Sequence, residues 1–523
     1  MDWKRHPRLI RWSIIGTAAC VVILAVGWAA SLKLSEVART RVLGLLEQHF
    51  GTRVELQQLH ISLFPSVRIR GEGLVFREKG HLDSPPLITI SRFVASASIR
   101  GVLRKPIAIQ QVRLEGLRIQ VSRRGPPKPH RTRPAGGHVP DFVIQNVSAD
   151  GTTLIIFPKD ERKQPLEYDL RLLQLWRAGI ESTMSFRATL TNAKPPGDIK
   201  TTGEFGPWSN DDIGQTPVRG TYEFRDADLS VFRGISGKLA SNGRFDGVLE
   251  RIEVDGRANV PDFRVKVSEN PVPLKTRFHA IVDGTDGNTR LEPVEAQFGD
   301  SQVTARGGVE GQKGVKGKTV SLDVLAAGRV EDMLRLGVKG KRPPLNGAIR
   351  FQTKLEIPPG DVDIAQKLKL DGAFSIVSAR FEKMDLQQKI NELSQKGKGE
   401  PKVPPSETVA SDFTGRFQLN QGRMSFSRFS FRIPGVFITL DGDYGLLDET
   451  LDFHGTARLE AKLSQTTTGF KSFLLKIVDR FFKKKNAGAV IPIKITGTRE
   501  KPEFGLDLNR KDDTSSAKRG PRE

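Results

Sequence analysis

Two short segments contain residue types that carry out chemistry in other proteins. Gly317-Lys318-Thr319 matches the end of a phosphate-binding loop, but Gln312 stands where that loop requires its first glycine. We therefore interpret this segment as a turn beside a strand. Gly234-Ile235-Ser236-Gly237 lacks the final spacing of a nucleophile elbow. The sequence predicts a protein that is not an enzyme, although residues distant in sequence could still converge on a site.

Residues that bind metals are sparse in this chain. The eight histidines are scattered, and no two of them have the spacing of metal ligands on one helix. Cys20 is the single cysteine, so no second thiol is present to share a metal ion or to form an intramolecular disulfide. We expect no metal and no other cofactor.

The sharpest local pattern is an amphipathic segment, FKSFLLKIVDRFF, at residues 470–482. Its apolar residues recur at the spacing of one helical face, and three lysines follow directly. They are Phe470, Phe473, Leu474, Ile477, Val478, Phe481 and Phe482, followed by Lys483, Lys484 and Lys485. A basic amphipathic helix of this kind lies on an anionic membrane surface or caps one end of a groove. An ordinary helix packed on a sheet explains the pattern equally well.

A membrane anchor precedes everything else. Ser13–Leu32 contains no charged residue, and about 20 helical residues span the roughly 30 Å of a bilayer core. A cleaved signal peptide ending near Ala29-Ala30 is the alternative, but its apolar region is usually only about 7–15 residues long. We predict a retained single-pass anchor. The basic residues before it favour a cytoplasmic N-terminus, with the remaining chain on the other side.

The net charge of +22 is unevenly distributed. Residues 1–140 contain 23 Lys and Arg against 8 Asp and Glu, so +15 of the +22 lies there and about +7 lies in the rest. Anionic lipid headgroups attract basic residues close to a membrane anchor. Because aromatic residues are few and no nucleic-acid motif accompanies the charge, we expect no nucleic-acid partner.

The rest of the chain alternates apolar and polar residues with a period of two, which is typical of strands. Clear examples are 67–70, 117–121, 141–147, 153–157, 218–224, 248–254, 275–282, 301–307, 319–325 and 345–355, with four more within 413–453. Short helices are expected at 35–50, 330–336, 362–370 and 384–396. We count about two dozen strands, which suggests a long, twisted, mostly antiparallel sheet or several stacked β modules.

Changes in composition divide the chain into eight regions. They are 1–12 (basic and cytoplasmic), 13–32 (transmembrane anchor), 33–122 (helix plus strands), 123–140 (basic Pro/Gly linker), 141–396 (central β region), 397–406 (second linker), 407–508 (C-terminal β region with the amphipathic helix) and 509–523 (disordered tail).

The two ends of the chain resemble AsmA-like proteins, the group that includes TamB and YhdP. The matching C-terminal residues are Gly442-Asp443-Tyr444, Leu451-Asp452-Phe453, the run from Ile491 to Thr498, and Pro502 through Asp507. The matching N-terminal features are the anchor, a helix ending near Phe50-Gly51-Thr52-Arg53-Val54, and strands through Pro65-Ser66. The resemblance covers both ends and the β character between them.

This resemblance implies a fold and a class of function. The fold is mainly β: an N-terminal transmembrane helix is followed by a long, mostly antiparallel, curved β-sheet that forms a groove, with a few short helices. The function is the binding or conduction of phospholipid acyl chains by a protein anchored in the bacterial inner membrane, with a periplasmic body that serves outer-membrane lipid homeostasis. Partners would be phospholipid, the inner membrane, and the outer membrane or an envelope protein.

Two alternatives remain open at the level of sequence. The apolar strand faces could pack against each other in closed sandwich cores rather than line a groove. The protein could also be an envelope scaffold that assists outer-membrane protein biogenesis without transferring lipid. A continuous accessible trough would favour the lipid-handling function, whereas closed cores would favour the scaffold.

Overall fold

The structure is a computed structural model that describes most of the chain after the predicted anchor. It describes residues 39–40, 43–44, 46–47, 53–62, 66–77, 86–102, 106–122, 142–157, 165–178, 182–209, 212–312, 315, 317–340, 342–382, 384–398, 409–459 and 490–507. The predicted anchor at 13–32 and the amphipathic segment at 470–482 lie outside these residues. Within them, no helix has the length and apolar character needed to cross a membrane.

The described residues form one large curved sheet, shaped like half a barrel, with few helices. This confirms a mainly β fold and the prediction of about two dozen strands. The strands are β1 (Arg53–Glu55), β2 (Gln58–Ser62), β3 (Val67–Arg77), β4 (Ile88–Ala97), β5 (Ile107–Ser122), β6 (Phe142–Phe157), β7 (Leu166–Ala178), β8 (Met184–Ala193), β9 (Pro196–Phe205), β10 (Pro217–Asp228), β11 (Ile235–Ser236), β12 (Lys238–Val248), β13 (Arg251–Val265), β14 (Val272–Val282), β15 (Thr289–Phe298), β16 (Ser301–Gly311), β17 (Lys318–Arg329), β18 (Leu345–Ile357), β19 (Lys369–Phe381), β20 (Ser411–Asn420), β21 (Arg423–Ile433), β22 (Val436–Gly445), β23 (Thr450–Leu459), β24 (Val490–Thr498) and β25 (Pro502–Leu506).

The helices are short and lie in the connections. They are α1 (Ile99–Val102), α2 (Val330–Gly337), α3 (Ile364–Lys367) and α4 (Met384–Lys398), with 3-10 turns at Ile213–Gln215 and Leu229–Val231. The predictions of helices at 330–336 and 384–396 are confirmed, and the described residues between 39 and 47 are helical. The prediction at 362–370 was too long, because β19 already begins at Lys369, where apolar and polar residues start to alternate.

Nearly every strand pairs with the next strand along the chain. The pairing is antiparallel throughout the described sheet except between β5 and β6, which run parallel. β1 and β2 both pair with β3, and β11 and β12 both pair with β13, so each of these couples acts as one interrupted strand. Because side chains on a strand alternate between faces, this register carries one face unbroken across the sheet.

One face of the sheet is apolar and the other is polar. A single line of cross-strand partners illustrates the apolar face over nine strands: Phe186, Gly203, Gly220, Phe245, Val254, Ala280, Leu291, Gly307 and Leu322. The two flanking lines lie on the other face: one contains Glu204, Arg219 and Asp246, and the other contains Arg244 and Asp255. The alternation read from the sequence therefore produces one continuous apolar surface.

Glycines on the apolar face allow adjacent strands to approach closely. A Cβ placed on Gly203 would lie 2.0 Å from the Arg219 carbonyl oxygen and 2.8 Å from the Cα of Gly220. A Cβ on Gly256 would lie 2.5 Å from the ring of Phe278. Aromatic rings thus occupy the space above glycines of neighbouring strands, an arrangement that stabilises glycine in sheets.

The sheet coils along its length until the strand ends on one side meet the strand ends on the other side. One row of strand ends, here called the upper edge, includes the start of β7, the end of β10 and the end of β13. The opposite row, called the lower edge, includes the β14–β15 and β18–β19 connections. The backbone N–H of Ile364 on the lower edge donates to the carbonyl of Arg233 on the upper edge at 2.9 Å. Leu166 on the upper edge also lies beside Gly287 on the lower edge. We call these contacts between successive turns of the coil the seam.

The C-terminal third of the sheet is filled by a packed core. Phe413 and Phe431 lie with ring centroids 4.8 Å apart, and further phenylalanines from β19 to β23 surround them. The α4 helix contributes Ile390 and Leu393 to this core. The hydroxyl of Ser394 donates to the carbonyl of Pro434 at 2.7 Å, which fastens α4 to the β21–β22 turn. A smaller core at the N-terminal end joins β1–β6 to the helical residues Leu43 and Leu46.

A histidine ties the last strand to the sheet. His454 Nδ1 lies 2.8 Å from Asp507 Oδ2, just after β25, and His454 Nε2 lies 3.0 Å from Asp452 Oδ1. Its cross-strand neighbours on this polar face are Asp441 and Lys494. The hydrogen bond to Asp507 raises the pKa of His454, burial opposes this increase, and Asp452 adds to it. Both ring nitrogens can donate to these carboxylates only when the imidazole is protonated.

This arrangement predicts that attachment of β25 weakens as the pH rises. The folded-state pKa of His454 exceeds its value of about 6.5 in unfolded chains, so the contribution is complete below about pH 6.5 and is lost as the pH passes the raised pKa. We expect the protection of Glu503–Leu506 from hydrogen exchange, corrected for the intrinsic rate, to fall severalfold between pH 6 and pH 8.5. His454→Gln should abolish this pH dependence; an unchanged dependence in that variant would disprove the role of His454.

Candidate functional site

The apolar face of the central strands, β7 to β17, is the candidate functional site, here called the floor. The C-terminal core contains a cluster of buried large side chains, such as Phe413, Phe431 and Ile433, whereas most large side chains of the floor are half-buried. They include Leu173, Leu175, Phe186, Leu190, Ile199, Phe205, Tyr222, Phe224, Phe245, Ile252, Val254, Phe278, Val294 and Leu322. The described helices pack mainly on β5, β13, β17–β19 and β22, so they leave most of the floor uncovered.

The curvature sets the width of the space above the floor. The edges meet at the seam after about seven strands, because Leu166 begins β7 and Gly287 lies between β14 and β15. In the described sheet β7 and β14 do not pair as neighbouring strands, so the sheet curls around the space above the floor as a half-barrel rather than as a closed barrel. Glycines in the floor remove side-chain volume from this space. The space above the floor is therefore a trough lined by apolar side chains and glycines.

Polar side chains at the centre of the floor form hydrogen bonds within the protein. The Ser241 hydroxyl donates to the Arg257 carbonyl at 2.9 Å, so Tyr222 Oη must donate to Ser241 Oγ, 3.1 Å away. Burial raises the pKa of Tyr222, while its hydrogen bond to Ser241 lowers it. The Thr276 hydroxyl turns toward the carbonyl of Ala258. These groups consequently offer little to a polar ligand, and the floor behaves as an apolar surface.

The polar face carries ion pairs between neighbouring strands. Examples are Arg219 with Glu204 at 2.5 Å, Arg244 with Asp255 at 3.1 Å, and Lys369 with Glu356 at 2.9 Å. The side chains are largely exposed, so each pair contributes little to stability. Because these charged side chains are hydrated, the polar face does not favour contact with apolar molecules. The floor is therefore the face able to bind them.

The segments first considered for chemistry lie in strands or at their ends. Lys318 begins β17, so Gly317-Lys318-Thr319 leads into a strand, as predicted, rather than into the helix of a phosphate-binding loop. Ile235 and Ser236 form β11 against β13. Among the described residues, no group of three or more His, Cys, Asp or Glu side chains could hold a metal ion.

The predicted membrane-contacting residues lie outside the described part of the chain. Phe470, Phe473, Leu474, Ile477, Val478, Phe481, Phe482, Lys483, Lys484 and Lys485 all belong to the connection between β23, which ends at Leu459, and β24, which begins at Val490. Their role stays a prediction.

Several floor strands were missed by the sequence interpretation. β8 contributes Phe186, Ala188 and Leu190, and β9 contributes Ile199 and Phe205. The signal was present in β8, where apolar residues alternate over five positions. In β9, Thr201 and Gly203 occupy the apolar face, so the alternation there is weak.

Comparisons of the chain with protein-family models, curated proteins and solved structures found no match. The resemblance to AsmA-like proteins therefore stays a prediction.

Proposed function

We propose that this protein binds the acyl chains of phospholipids along the floor. The observation that carries the proposal is the continuous, half-buried apolar face of β7–β17, which contrasts with the filled core of β18–β24. Monomeric soluble proteins rarely leave large continuous apolar surfaces uncovered, and such surfaces usually bind a ligand or a partner.

The energetics of acyl chains suit this surface. Burying a methylene group contributes about 0.8 kcal/mol, so a chain of ~16 carbons gains more than 10 kcal/mol before the cost of ordering it. Because the hydroxyls of Ser241 and Thr276 at the centre of the floor are already paired within the protein, a hydrocarbon chain displaces few strongly held waters there. The polar headgroup would remain in water beyond the edges of the sheet.

The sequence supports a location beside a membrane. Ser13–Leu32 is long and apolar enough for an anchor, and the positive charge is concentrated in residues 1–140. We propose a single-pass inner-membrane protein with a periplasmic body that conducts phospholipid during outer-membrane lipid homeostasis. The segment 470–482, followed by Lys483–Lys485, would contact a membrane or cap the groove.

A scaffold role in envelope assembly is the second candidate. The closed phenylalanine core of β19–β23 favours it for the C-terminal third, because a filled interior leaves no room for a lipid chain there. The half-buried floor of the central strands favours lipid binding. The two functions differ in one measurable property, which is whether lipid occupies the floor.

Site-specific photocrosslinking tests the proposal on two adjacent residues that face opposite sides. We expect p-benzoylphenylalanine at Phe245, on the floor, to crosslink to phospholipid when the full-length protein is irradiated in its native membrane. The same group at Arg244, on the polar face, should yield much less lipid adduct. Intact-protein mass spectrometry measures the added mass. A folded protein without lipid adduct at Phe245, or with equal adduct at both positions, would contradict acyl-chain binding on the floor.

A further inference from the structure

A cleft of about 970 Å³ lies at the seam, outside the floor. Three segments that are far apart in sequence line it: 230–236 before β12, 264–269 at the end of β13, and 362–366 around α3. The first and third segments are joined by the hydrogen bond from the Ile364 N–H to the Arg233 carbonyl. Because the cleft depends on the meeting of two turns of the coil, no single segment of sequence could have indicated it.

The cleft lies on the polar face of the sheet. Ser236 is the cross-strand partner of Arg264, and the adjacent pair of Ile235 with Val265 belongs to the opposite, apolar face. The N–H of Lys266 donates to the carbonyl of Gly234 at 2.8 Å, which continues the pairing by one residue. Arg264 and Lys266, two residues apart in extended chain, therefore project from the same side of the sheet.

Cations dominate the cleft once internal pairing is considered. The Asp363 carboxylate accepts a hydrogen bond from the Ala365 N–H at 3.0 Å and lies 3.8 Å from Lys266 Nζ, so its charge is compensated. Within the described part of the chain, neither Arg233 nor Arg264 forms an ion pair with a carboxylate. Glu269 likewise forms no ion pair with a cationic side chain there. Two guanidinium groups are thus available against a single carboxylate.

We propose that this cleft binds a phosphate-bearing anion through Arg233 and Arg264, with Lys266 adding positive charge. A guanidinium group binds phosphate oxygens with paired N–H donors, and two such groups reaching into one cleft match a tetrahedral anion better than a planar carboxylate. Ser230 and Ser236 supply hydroxyl donors in the same lining. The phosphate belongs either to a lipid headgroup or to a soluble phosphate ester.

This inference is independent of acyl-chain binding, because the cleft and the floor lie on opposite faces of the sheet. Each can fail alone. Loss of phosphate binding would leave lipid crosslinking at Phe245 unaffected, and an empty floor would leave the cleft intact.

Calorimetric titration of the full-length protein in detergent tests the inference with three probes: inorganic phosphate, glycerol 3-phosphate, and dihexanoyl phosphatidic acid below its micelle-forming concentration. We expect the double substitution Arg233→Gln/Arg264→Gln to weaken binding of the phosphate ester at least ~10-fold, since it removes the charge-assisted hydrogen bonds of both guanidinium groups. Glu269→Gln should strengthen binding, because it removes the uncompensated negative charge. Thermal unfolding of each variant verifies that the fold is retained.

The matched control is Arg257→Gln/Arg277→Gln, which removes two exposed, cross-strand arginines from the same polar face away from the cleft. Unchanged affinity in this control, together with loss in the cleft variant, supports the site. Tighter binding of dihexanoyl phosphatidic acid than of glycerol 3-phosphate identifies a lipid headgroup as the source; equal binding identifies a soluble ester. Absence of binding by the wild-type protein, or equal loss in the control, overturns the proposal.

Discussion

Replacing Gly203 by alanine should destabilise the sheet by about 1–3 kcal/mol, the usual cost of forcing extra atoms into an already close contact. The new Cβ would lie 2.0 Å from the carbonyl oxygen of Arg219 and 2.8 Å from the Cα of Gly220. Both atoms belong to the backbone of β10, so they cannot rotate away as a side chain would. Urea unfolding followed by circular dichroism measures the change, and hydrogen exchange should show the loss of protection concentrated in β9 and β10.

Gly308→Ala provides the matched control in the same sheet. A Cβ there would lie 3.2 Å from the flexible carboxylate of Glu310 and 3.4 Å from the Thr289 carbonyl, so only a small adjustment is needed. We expect less than about 1 kcal/mol of change. Equal destabilisation by the two substitutions would show that close strand approach at Gly203 is not what stabilises the central sheet.

Replacing Phe245 by aspartate should remove most of the bound lipid from the floor. Phe245 is half-buried at the centre of the apolar face, opposite Val254. A carboxylate there must either lose its hydration or keep water where a hydrocarbon chain would lie, and each alternative costs several kcal/mol. We expect at least a ~10-fold decrease in phospholipid per protein, measured by extraction and mass spectrometry of the full-length protein.

Asn242→Asp is the control for this substitution. Asn242 is exposed on the polar face of the same strand, and the change adds the same charge with almost no change in volume. Lipid content should stay at the wild-type level. If Phe245→Asp destabilises the fold, Val254→Asp on the adjacent strand places the carboxylate at the neighbouring position on the floor. A folded floor variant that retains its lipid would contradict the proposed function.

The sequence predicted the faces of the sheet well because alternation is a local property. Val218–Phe224 and Lys275–Val282 alternate strictly enough to identify both the strand and its apolar side. β6 was wrongly divided into two strands, at 141–147 and 153–157, because Gly151 lies between them. In the structure the strand continues through Gly151 at φ 65°, and its parallel partner β5 bends beside it through Gly116 at φ 62°.

The seam and its cleft could not be predicted, because they depend on curvature accumulated over several strands. Arg233 and Ile364 are about 130 residues apart, and neither belongs to a recognisable motif. The twist between neighbouring strands follows from side-chain size and glycine placement, and small differences add up along the sheet. The sequence therefore indicated an apolar face but not how far the sheet curls around it.

The strand order has a consequence for how the protein forms. Because nearly every strand pairs with its immediate neighbour along the chain, the backbone contacts of the sheet are short-range, and loop closure costs little entropy. Each new hairpin can add to the growing edge while the rest of the chain is still being synthesised, much as repeats add to a solenoid. The seam joins residues far apart in the chain, so the coil closes only after both of its turns exist.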